Sequence, residues 1–406
     1  MKKIDRIHAR EILDSRGYPT LEVEMHSGDL IAWAGVPSGR STGKFEAQEL
    51  RDGGPRFDGM GVTKAAANVN GLITETFKRF PLGRQQEFDE MLRGMDGTGN
   101  FSALGANAVV GASIAYAKLS ALAKGVYLCD YIAGLSGQGR RMPKLFMNVL
   151  NGGWHAGNNL AVQEFHIIPE ANDVDEAIEV GTALYHALQR VVKGHYNATA
   201  IGLGEEGGFN PPAANTREAL DLLKEAAKQS GFEDQVRMGL DVAASTFLAE
   251  GLYVIDGKKL SSEELLKHLA AIAKAYDLFA VEDPFAEDDK LPFAELKKLF
   301  GPSRHLIGDD LTATNPDRIH AAYSDDAVNG VIIKPNQIGT LTQAIEAANL
   351  ARSYGWLVVA SHRSGETEDA FIADFAVGIG ADAVKFGAPA RGERTAKYNQ
   401  LMKIFS

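Results

Sequence analysis

The sequence predicts an α/β protein built in two parts, and two patterns support this prediction. Near the amino terminus, apolar and polar residues alternate as in a half-buried sheet, and a long helical pattern follows. From residue 142 to 406, short apolar runs alternate with amphipathic helical patterns. We therefore expect an α+β domain over residues 1–133, a linker over 134–141 and a repeating β/α domain over 142–406.

The amino-terminal part is predicted to pair a small sheet with helices. Residues 20–25 alternate strictly, a Ser-Gly-Asp turn follows at 27–29, and residues 30–36 supply the returning strand. Between about 63 and 125, Ala, Leu, Glu and Lys recur at the three- and four-residue spacing of helices. The glycine-rich stretch 134–141 then has the composition of a linker.

Repeated units in the second part predict a parallel sheet covered by helices. Helical patterns occupy 173–192, 215–230, 261–275, 290–300, 341–354 and 367–380. The apolar runs that alternate with them include 238–240, 278–281, 305–308, 331–333, 356–360 and 383–384. Such units build either a closed barrel or a doubly wound open sheet, and the pattern alone does not choose between them.

Composition limits the classes of function. The formal net charge of −11 argues against a nucleic-acid surface or a polybasic membrane contact. Cys129 is the only cysteine, so no intrachain disulfide can form and a reducing compartment is expected. The first ten residues lack the apolar core of a signal peptide, and the stretch 105–125 is polar enough to predict a buried helix. We expect a cytoplasmic protein with no nucleic-acid or membrane partner.

The apolar runs of the second part are followed by ionisable residues. In chain order these are Asp241, Glu282 with Asp283, Asp309 with Asp310, Lys334, His362 with Arg363 after Ser361, and Lys385. In a barrel of parallel strands these ends meet at one rim, where active sites of this architecture lie. The three leading carboxylates suit a hard divalent cation, and the cationic groups that follow suit an anion. The alternative is that each charge only caps a strand at the surface. A single charged strand end would favour this alternative, but six in succession favour a shared site.

Two glycine-rich segments are candidates for the same rim. The segment 151–157 carries His155 in a glycine-rich turn, and Glu164 follows shortly after it. The segment 204–209 places Glu205 and Glu206 between glycines. Glycines let the backbone approach a ligand closely, and adjacent acids can have their pKa values pushed apart so that one donates a proton. Each segment considered alone would more often be a solvated turn. The functional interpretation of both segments therefore rests on the charged residues at the strand ends.

Six motifs of the chain resemble those of the enolase family. They are Glu-Ile-Leu-Asp-Ser-Arg-Gly at 11–17, Val-Pro-Ser-Gly at 36–39, Ser-Thr-Gly at 41–43, Leu-Gly-Ala-Asn-Ala at 104–108, Gln-Ile-Gly-Thr-Leu at 337–341 and Ser-His-Arg-Ser-Gly-Glu-Thr-Glu-Asp at 361–369. The resemblance runs from about residue 4 to 402. It implies an α+β capping domain on an atypical eight-fold α/β barrel, whose first units depart from simple β/α alternation. It also implies reversible dehydration of 2-phosphoglycerate to phosphoenolpyruvate, with an oligomer that is a homodimer or an octamer of dimers.

The resemblance further implies two Mg²⁺ ions in each active site. Asp241, Glu282 and Asp309 would hold the structural ion, which grips the carboxylate of the substrate. Ser41 would help to hold the second ion together with the phosphate. Two divalent cations beside that carboxylate would stabilise the doubly charged fragment that remains when the α-proton leaves.

The same resemblance assigns the acid–base and substrate-binding residues. Lys334 would remove the α-proton, and Glu206, aided by Glu164, would act on the departing hydroxyl. Lys385 would meet the substrate carboxylate, and together with Mg²⁺ it should depress the pKa of Lys334 so that the amine is neutral. The remaining substrate contacts would be His155, His362, Arg363 and Ser364.

Four residues depart from the usual family pattern. They are Arg40 in the loop, Trp154, Glu205 in place of an aspartate and Phe386 in place of a threonine. Ordinary drift in a glycolytic enzyme is one explanation. The second is a paralogue that keeps the enol chemistry but acts on a phosphonate or carboxyphosphonate. The third is a non-catalytic binding or scaffolding member, and the presence of every proposed catalytic residue argues against it.

Overall fold

The computed structural model describes residues 2–39 and 43–406, apart from the side chains of 198 and 199. Three antiparallel strands open the chain: β1 (Arg6–Leu13), β2 (Pro19–Ser27) and β3 (Leu30–Gly35). The amino-terminal helices are α1 (Thr63–Asn68), α2 (Thr74–Phe77), α3 (Gln85–Asp96), α4 (Ala106–Lys124) and α5 (Leu128–Ser136), with a π-helical turn at Val69–Ile73 between α1 and α2. The predicted sheet and its Ser-Gly-Asp turn are confirmed.

The predicted helical block 63–125 is interrupted between α3 and α4. The side chain of Asp96 accepts hydrogen bonds from the backbone of Thr98 and Leu104, at 3.0 and 2.7 Å, and so closes a loop instead of a helix. Helix α5 extends through residues 134–136, the first three residues of the predicted linker 134–141.

Helix α4 is the centre of the amino-terminal core. It packs against β2, β3 and α5, and most of its residues are buried. By length and composition it is apolar enough to cross a membrane, but its burial identifies it as a core helix of this fold. Gly125, in the left-handed region at φ 69°, ends the helix as expected.

Eleven further strands follow among the described residues. They are β4 (Lys144–Asn151), β5 (Glu164–Pro169), β6 (Val236–Asp241), β7 (Leu248–Ala249), β8 (Leu252–Ile255), β9 (Lys258–Leu260), β10 (Ala280–Glu282), β11 (His305–Gly308), β12 (Gly330–Ile333), β13 (Leu357–Ser361) and β14 (Ala383–Lys385). The helices are α6 (Val174–Tyr196), α7 (Thr216–Ser230), α8 (Ser262–Ala275), α9 (Leu291–Phe300), α10 (Pro316–Ser324), α11 (Pro335–Ile338), α12 (Leu341–Ser353), α13 (Phe371–Gly378) and α14 (Gly392–Phe405).

Eight of these strands close into a barrel in the order β10-β11-β12-β13-β14-β4-β5-β6, while β7, β8 and β9 form a separate small sheet. The closed ring excludes the doubly wound alternative. Strand β5 is antiparallel to both neighbours, and the other adjacent pairs are parallel. The departure from simple alternation that the family resemblance implied is therefore confirmed.

The barrel strands share a small apolar cluster separate from the main core. Its buried members, one from each of seven strands, are Phe146, Ile168, Ala280, Ile307, Ile332, Val359 and Ala383. Side chains thus fill the barrel interior, as in other small parallel barrels, and functional groups are left to the rim.

The predicted helix at 367–380 begins later, at Phe371. The carboxylate of Asp369 accepts a hydrogen bond from the backbone N–H of Phe371 at 2.9 Å, and the hydroxyl of Thr367 accepts one from the backbone of Asp369 at 3.2 Å. These side-chain bonds hold the preceding segment as a loop.

Gly111 provides a test of the packing of α4. A β-carbon at this position would lie 2.8 Å from Val23 and 2.9 Å from Val36, which is too close for the present backbone. We expect Gly111→Val to lower the free energy of unfolding by roughly 1–3 kcal/mol because it overpacks this contact. Gly134→Ala in α5 is the matched control, since a β-carbon there meets nothing within 4 Å and should cost nothing. Equal urea midpoints for the two variants would contradict the prediction.

Candidate active site

The carboxyl ends of the parallel barrel strands gather the predicted ionisable residues at one rim. Asp241 ends β6 and is in register with Glu282, which ends β10. Lys385 ends β14 and is in register with Ser361 at the end of β13. Asp309 and Lys334 directly follow β11 and β12. The geometry of a parallel barrel explains why residues far apart in sequence meet here.

Glu164 reaches the same rim because β5 runs the opposite way. It is the first residue of β5 and pairs with Asp241 on one side and with Asn151, the last residue of β4, on the other. An antiparallel strand places its amino-terminal end where its neighbours end. A parallel β5 would have placed Glu164 at the far mouth of the barrel.

A polar cavity opens at this rim. Its walls are formed by Gly39, Glu46, His155, Gln163, Glu164, Glu206, Asp241, Ala243, Thr246, Asp283, Asp309, Asp310, Lys334, Ser361, His362, Arg363, Ser364 and Lys385. All predicted site residues are among them except Glu282, which contacts Lys385, and Ser41, which lies outside the described residues. The structure therefore brings the predicted set together.

The ammonium of Lys385 joins three carboxylates. Its Nζ lies 2.9 Å from Asp241 Oδ2, 2.9 Å from Glu282 Oε1 and 3.3 Å from Glu164 Oε2. Burial alone would lower the pKa of Lys385, but the surrounding carboxylates, with Asp241 foremost, raise it well above its usual value. The surrounding carboxylates therefore favour the protonated form of Lys385.

Lys334 is paired with Asp309. Its Nζ donates a short hydrogen bond to Asp309 Oδ2, and Gln337 Nε2 donates to Asp309 Oδ1 at 3.3 Å. Burial acts to lower the pKa of Lys334, as do the charges of Arg363 and Lys385, but Asp309 outweighs them and the pKa is raised. The expected depression of this pKa, which invoked Mg²⁺ together with Lys385, is not produced by Lys385 alone.

A second cluster combines Glu164, Glu206 and His155, whose ligand atoms lie within 4.8 Å of one another. Burial, followed by the charge of Glu206, raises the pKa of Glu164 well above its usual value. Burial acts in the same direction on Glu206, but His362 and His155 outweigh it and hold its pKa well below the usual value. The pKa values of these two buried acids are therefore shifted in opposite directions.

Glu164 and Glu206, whose pKa values are shifted in opposite directions, come together from distant positions of the chain. Glu205 is not among the residues that line the cavity. Gly208 permits close packing near Glu206, because a β-carbon there would lie 2.4 Å from Asn151 Oδ1 and 3.0 Å from the backbone nitrogen of Leu150. Close approach of the two backbones brings Glu206 to the rim.

The predicted anion-binding residues follow β13. Arg363 is buried, and its guanidinium makes two contacts with Glu46, at 2.8 and 3.2 Å, and one with Asn336 Oδ1 at 3.1 Å. His362 lies with its Nε2 3.3 Å from Glu206 Oε2, and burial lowers the pKa of its imidazole to about 3. Ser364 completes this wall of the cavity.

Most of the residues that differ from the usual family pattern lie away from the cavity. The ring of Phe386 is fully buried and packs edge-on against Tyr398, with centroids 5.8 Å apart. Trp154 is half-exposed and does not line the cavity. Arg40, like Ser41, lies outside the described residues.

Sequence reasoning gave no role to several residues that shape the rim. Asp283, at φ 40°, accepts backbone hydrogen bonds from Asp309 at 3.0 Å and from Asp310 at 2.7 Å. Glu46 pairs with Arg363 across the interface of the two parts of the chain. Asp283 was visible as a charged strand end, but no local pattern marked Glu46.

An α/β barrel that gathers buried acids and lysines at its carboxyl-terminal rim defines an acid–base enzyme. Residues 4–132 match the family model of the enolase N-terminal domain, and residues 140–406 match that of the enolase C-terminal TIM barrel domain. The chain belongs to the enolase family.

Relatives in archaea and in a eukaryote support this assignment. Enolase of Methanocaldococcus jannaschii is 47% identical over 404 residues, which cover 99% of this chain and 95% of the relative. Enolase of Methanothrix thermoacetophila is 46% identical with the same coverage, and Enolase B of Dictyostelium discoideum is 46% identical over 99% of this chain and 94% of its own length.

Asp283 should matter for stability because it holds the loop that carries Asp309. Asp283→Ala would leave two backbone N–H groups without their acceptor, and we expect a loss of roughly 1–3 kcal/mol in the free energy of unfolding. Asp283→Asn should lose less, since an amide oxygen can still accept and Asn tolerates a positive φ. The exposed Asp288→Ala is the control and should change stability little. Equal chemical-denaturation midpoints for the alanine variants would refute the role of Asp283.

Proposed function

We propose that this chain catalyses the reversible dehydration of 2-phospho-D-glycerate to phosphoenolpyruvate and water. Membership of the enolase family makes it a carbon–oxygen hydro-lyase of the phosphopyruvate hydratase type. The observation that carries the proposal is the shared cavity, which joins Lys334, the Glu164–Glu206 pair and Arg363 at one rim. Proton removal, loss of hydroxide and recognition of phosphate each find a group of the required chemistry there.

The carboxylates at the rim fit a divalent metal ion. Asp241, Glu282 and Asp309 present only oxygen ligands from adjacent strands, as Mg²⁺ prefers. In the described structure, each of these carboxylates contacts an ammonium, and these contacts support the proposal that the site accommodates a cation. These residues would hold one ion, and Ser41 would contribute to a second. When bound, the ions supply positive charge beside the carboxylate of the substrate.

The cationic side chains of the rim would orient the substrate. Lys385, already at the meeting point of three carboxylates, would face the substrate carboxylate. Arg363 with Ser364 would bind the phosphate, since a guanidinium fork matches phosphate oxygens. His155 and His362 would line the space between them. Holding the substrate in one orientation supplies much of the rate enhancement, because the substrate loses its orientational freedom on binding and not in the chemical step.

Lys334 would take the α-proton onto its Nζ. It can do so only as a neutral amine, and in the structure its contact with Asp309 keeps it protonated. The charges of Arg363 and Lys385 act in the opposite direction and would favour the neutral amine.

The acid pair would complete the reaction. Glu164 and Glu206 lie close together, and the pKa of Glu164 is raised. A proton from Glu164 would pass by way of Glu206 to the departing hydroxyl, whose carbon–oxygen bond would break as water leaves. The electron pair left by the α-proton becomes the new double bond.

The two alternative functions find less support. A pocket adapted to a phosphonate would need, in its wall, the residues that differ from the usual family pattern. Glu205, Phe386 and Trp154 do not line the cavity. A scaffold without activity would not need the buried acid pair, whose burial is costly. We also propose the cytoplasm as the location, a homodimer or octamer as the assembly, and the domain limits 1–133 and 142–406.

Variants that remove the proposed base or the proposed acid one at a time test the catalytic assignments. We expect Lys334→Ala to abolish exchange of the α-proton of 2-phosphoglycerate with solvent, while Mg²⁺ binding measured by calorimetry stays nearly intact. Glu206→Gln should retain exchange but lose formation of phosphoenolpyruvate, because the hydroxyl cannot leave. Lys267→Ala, which removes an exposed lysine paired only with Glu263, is the matched control. Survival of exchange in Lys334→Ala would show that another group is the base.

Metal dependence tests the overall proposal. The absorbance rise of phosphoenolpyruvate from 2-phosphoglycerate should require Mg²⁺ and return when Mg²⁺ is added after EDTA. Mg²⁺ should also raise the melting temperature, because the ion binds only the folded protein, and Glu282→Gln should reduce that rise. Absence of turnover with a normal Mg²⁺-induced rise would favour a paralogue with another substrate.

A further inference from the structure

Arg394 is a fully buried arginine on the carboxyl-terminal helix α14. Its side chain is 0% exposed, and a guanidinium without compensation in such a place would be very costly. It donates to the backbone oxygens of Arg363 at 2.7 Å, Ser364 at 2.5 Å and Glu205 at 3.1 Å. Arg394 therefore joins the two loops that carry the phosphate-binding residues and the catalytic acid.

Its most specific contact is with an imidazole nitrogen. Arg394 Nη1 lies 2.6 Å from His362 Nδ1. A guanidinium has donors only, so Nδ1 must present its lone pair at this distance. A neutral imidazole with a lone pair on Nδ1 carries its proton on Nε2, and an imidazolium would set two donors against each other.

The remaining nitrogen of His362 faces the catalytic acid. Its Nε2 lies 3.3 Å from Glu206 Oε2, and the same oxygen accepts from Asn148 Nδ2 at 3.0 Å. His362 and Glu206 are both buried, at 2% and 3% exposure, so water does not decide the tautomer. The burial that lowers the pKa of His362 to about 3 agrees with a neutral ring.

We propose that Arg394 is a positioning residue that fixes His362 as the Nε2–H tautomer, so that a donor and not a lone pair stands 3.3 Å from Glu206 Oε2. Its catalytic consequence rests on the function proposed above. The positive end of this N–H dipole would stabilise the carboxylate of Glu206, the group proposed to act on the departing hydroxyl. With the proton on Nδ1 instead, the lone pair of His362 Nε2 would face a lone pair of the Glu206 carboxylate, and this stabilisation of Glu206 would be lost.

Nuclear magnetic resonance of histidine-selectively ¹⁵N-labelled protein reads the tautomer directly. We expect the Nδ1 signal of His362 to be of the unprotonated type and the Nε2 signal of the protonated type, with assignment by comparison with His362→Gln. This measurement needs no turnover. The opposite tautomer, or an averaged pair of signals, in the wild-type protein would overturn the proposal.

Arg394→Met should release the imidazole and give a changed or averaged pair of signals, with kcat/KM lower on the order of 10²-fold. Lys397→Met is the matched control on the same helix. Lys397 is equally buried, but it contacts Glu366 and the backbone oxygen of Thr367 and not His362. Its loss removes support from the same loop but no contact of His362, so the Nε2–H tautomer of His362 should persist. Equal signal changes in both variants would show only general loosening of α14 and would overturn the proposal.

A double-mutant cycle separates this role from simple support of the two loops. In a His362→Gln background no tautomer remains to be fixed, so Arg394→Met should cost much less than in the wild type. Equal fold losses in the two backgrounds would overturn the proposal. Should Arg394→Met not fold, Arg394→Lys serves in the same cycle, since lysine keeps the charge but not the fork of donors. Failure of the proposed function would appear differently, as wild-type protein without turnover but with the expected His362 signals.

Discussion

The arrangement of the rim depends on the balance of buried charge around Lys385. Three carboxylates that meet at the end of a barrel would repel each other strongly in surroundings of low polarity. The ammonium of Lys385 contacts Asp241, Glu282 and Glu164, and Lys334 pairs with Asp309 in the same way. These contacts place positive charge among closely grouped acids, an arrangement that suits a site for a divalent cation. The contact with Asp309 also raises the pKa of Lys334, the proposed base.

Backbone topology determines which groups take part in this balance. Because β5 runs against its neighbours, Glu164 stands at the rim beside Asp241 and can form a buried pair with Glu206. The pKa of Glu164 is raised and that of Glu206 is lowered, so the two acids are suited to different roles in proton transfer. A change of strand direction, and not an unusual residue, thus creates the acid side of the site.

Support for the site comes from outside the barrel strands. Glu46, from the amino-terminal part, fixes the guanidinium of Arg363 from one side. Helix α14 supports the same loop from the other side through Arg394 and Lys397. The segment 361–369 is therefore held between the two ends of the chain, which explains how a loop without regular structure can keep its side chains in defined positions.

Local periodicity and residue identity were enough to predict the alternation of strands and helices, the charged residues at six strand ends and the family resemblance. Both can be read from a single chain. Closure of the sheet, the approach of Glu206 to Glu164 and the raised pKa of Lys334 beside Asp309 follow from tertiary contacts. The contacts of Lys385 join residues 103 and 144 positions apart, and closure of the barrel sets such distances. No local pattern encodes them, so Glu46, Asp283 and Arg394 gained roles only when the chain was folded.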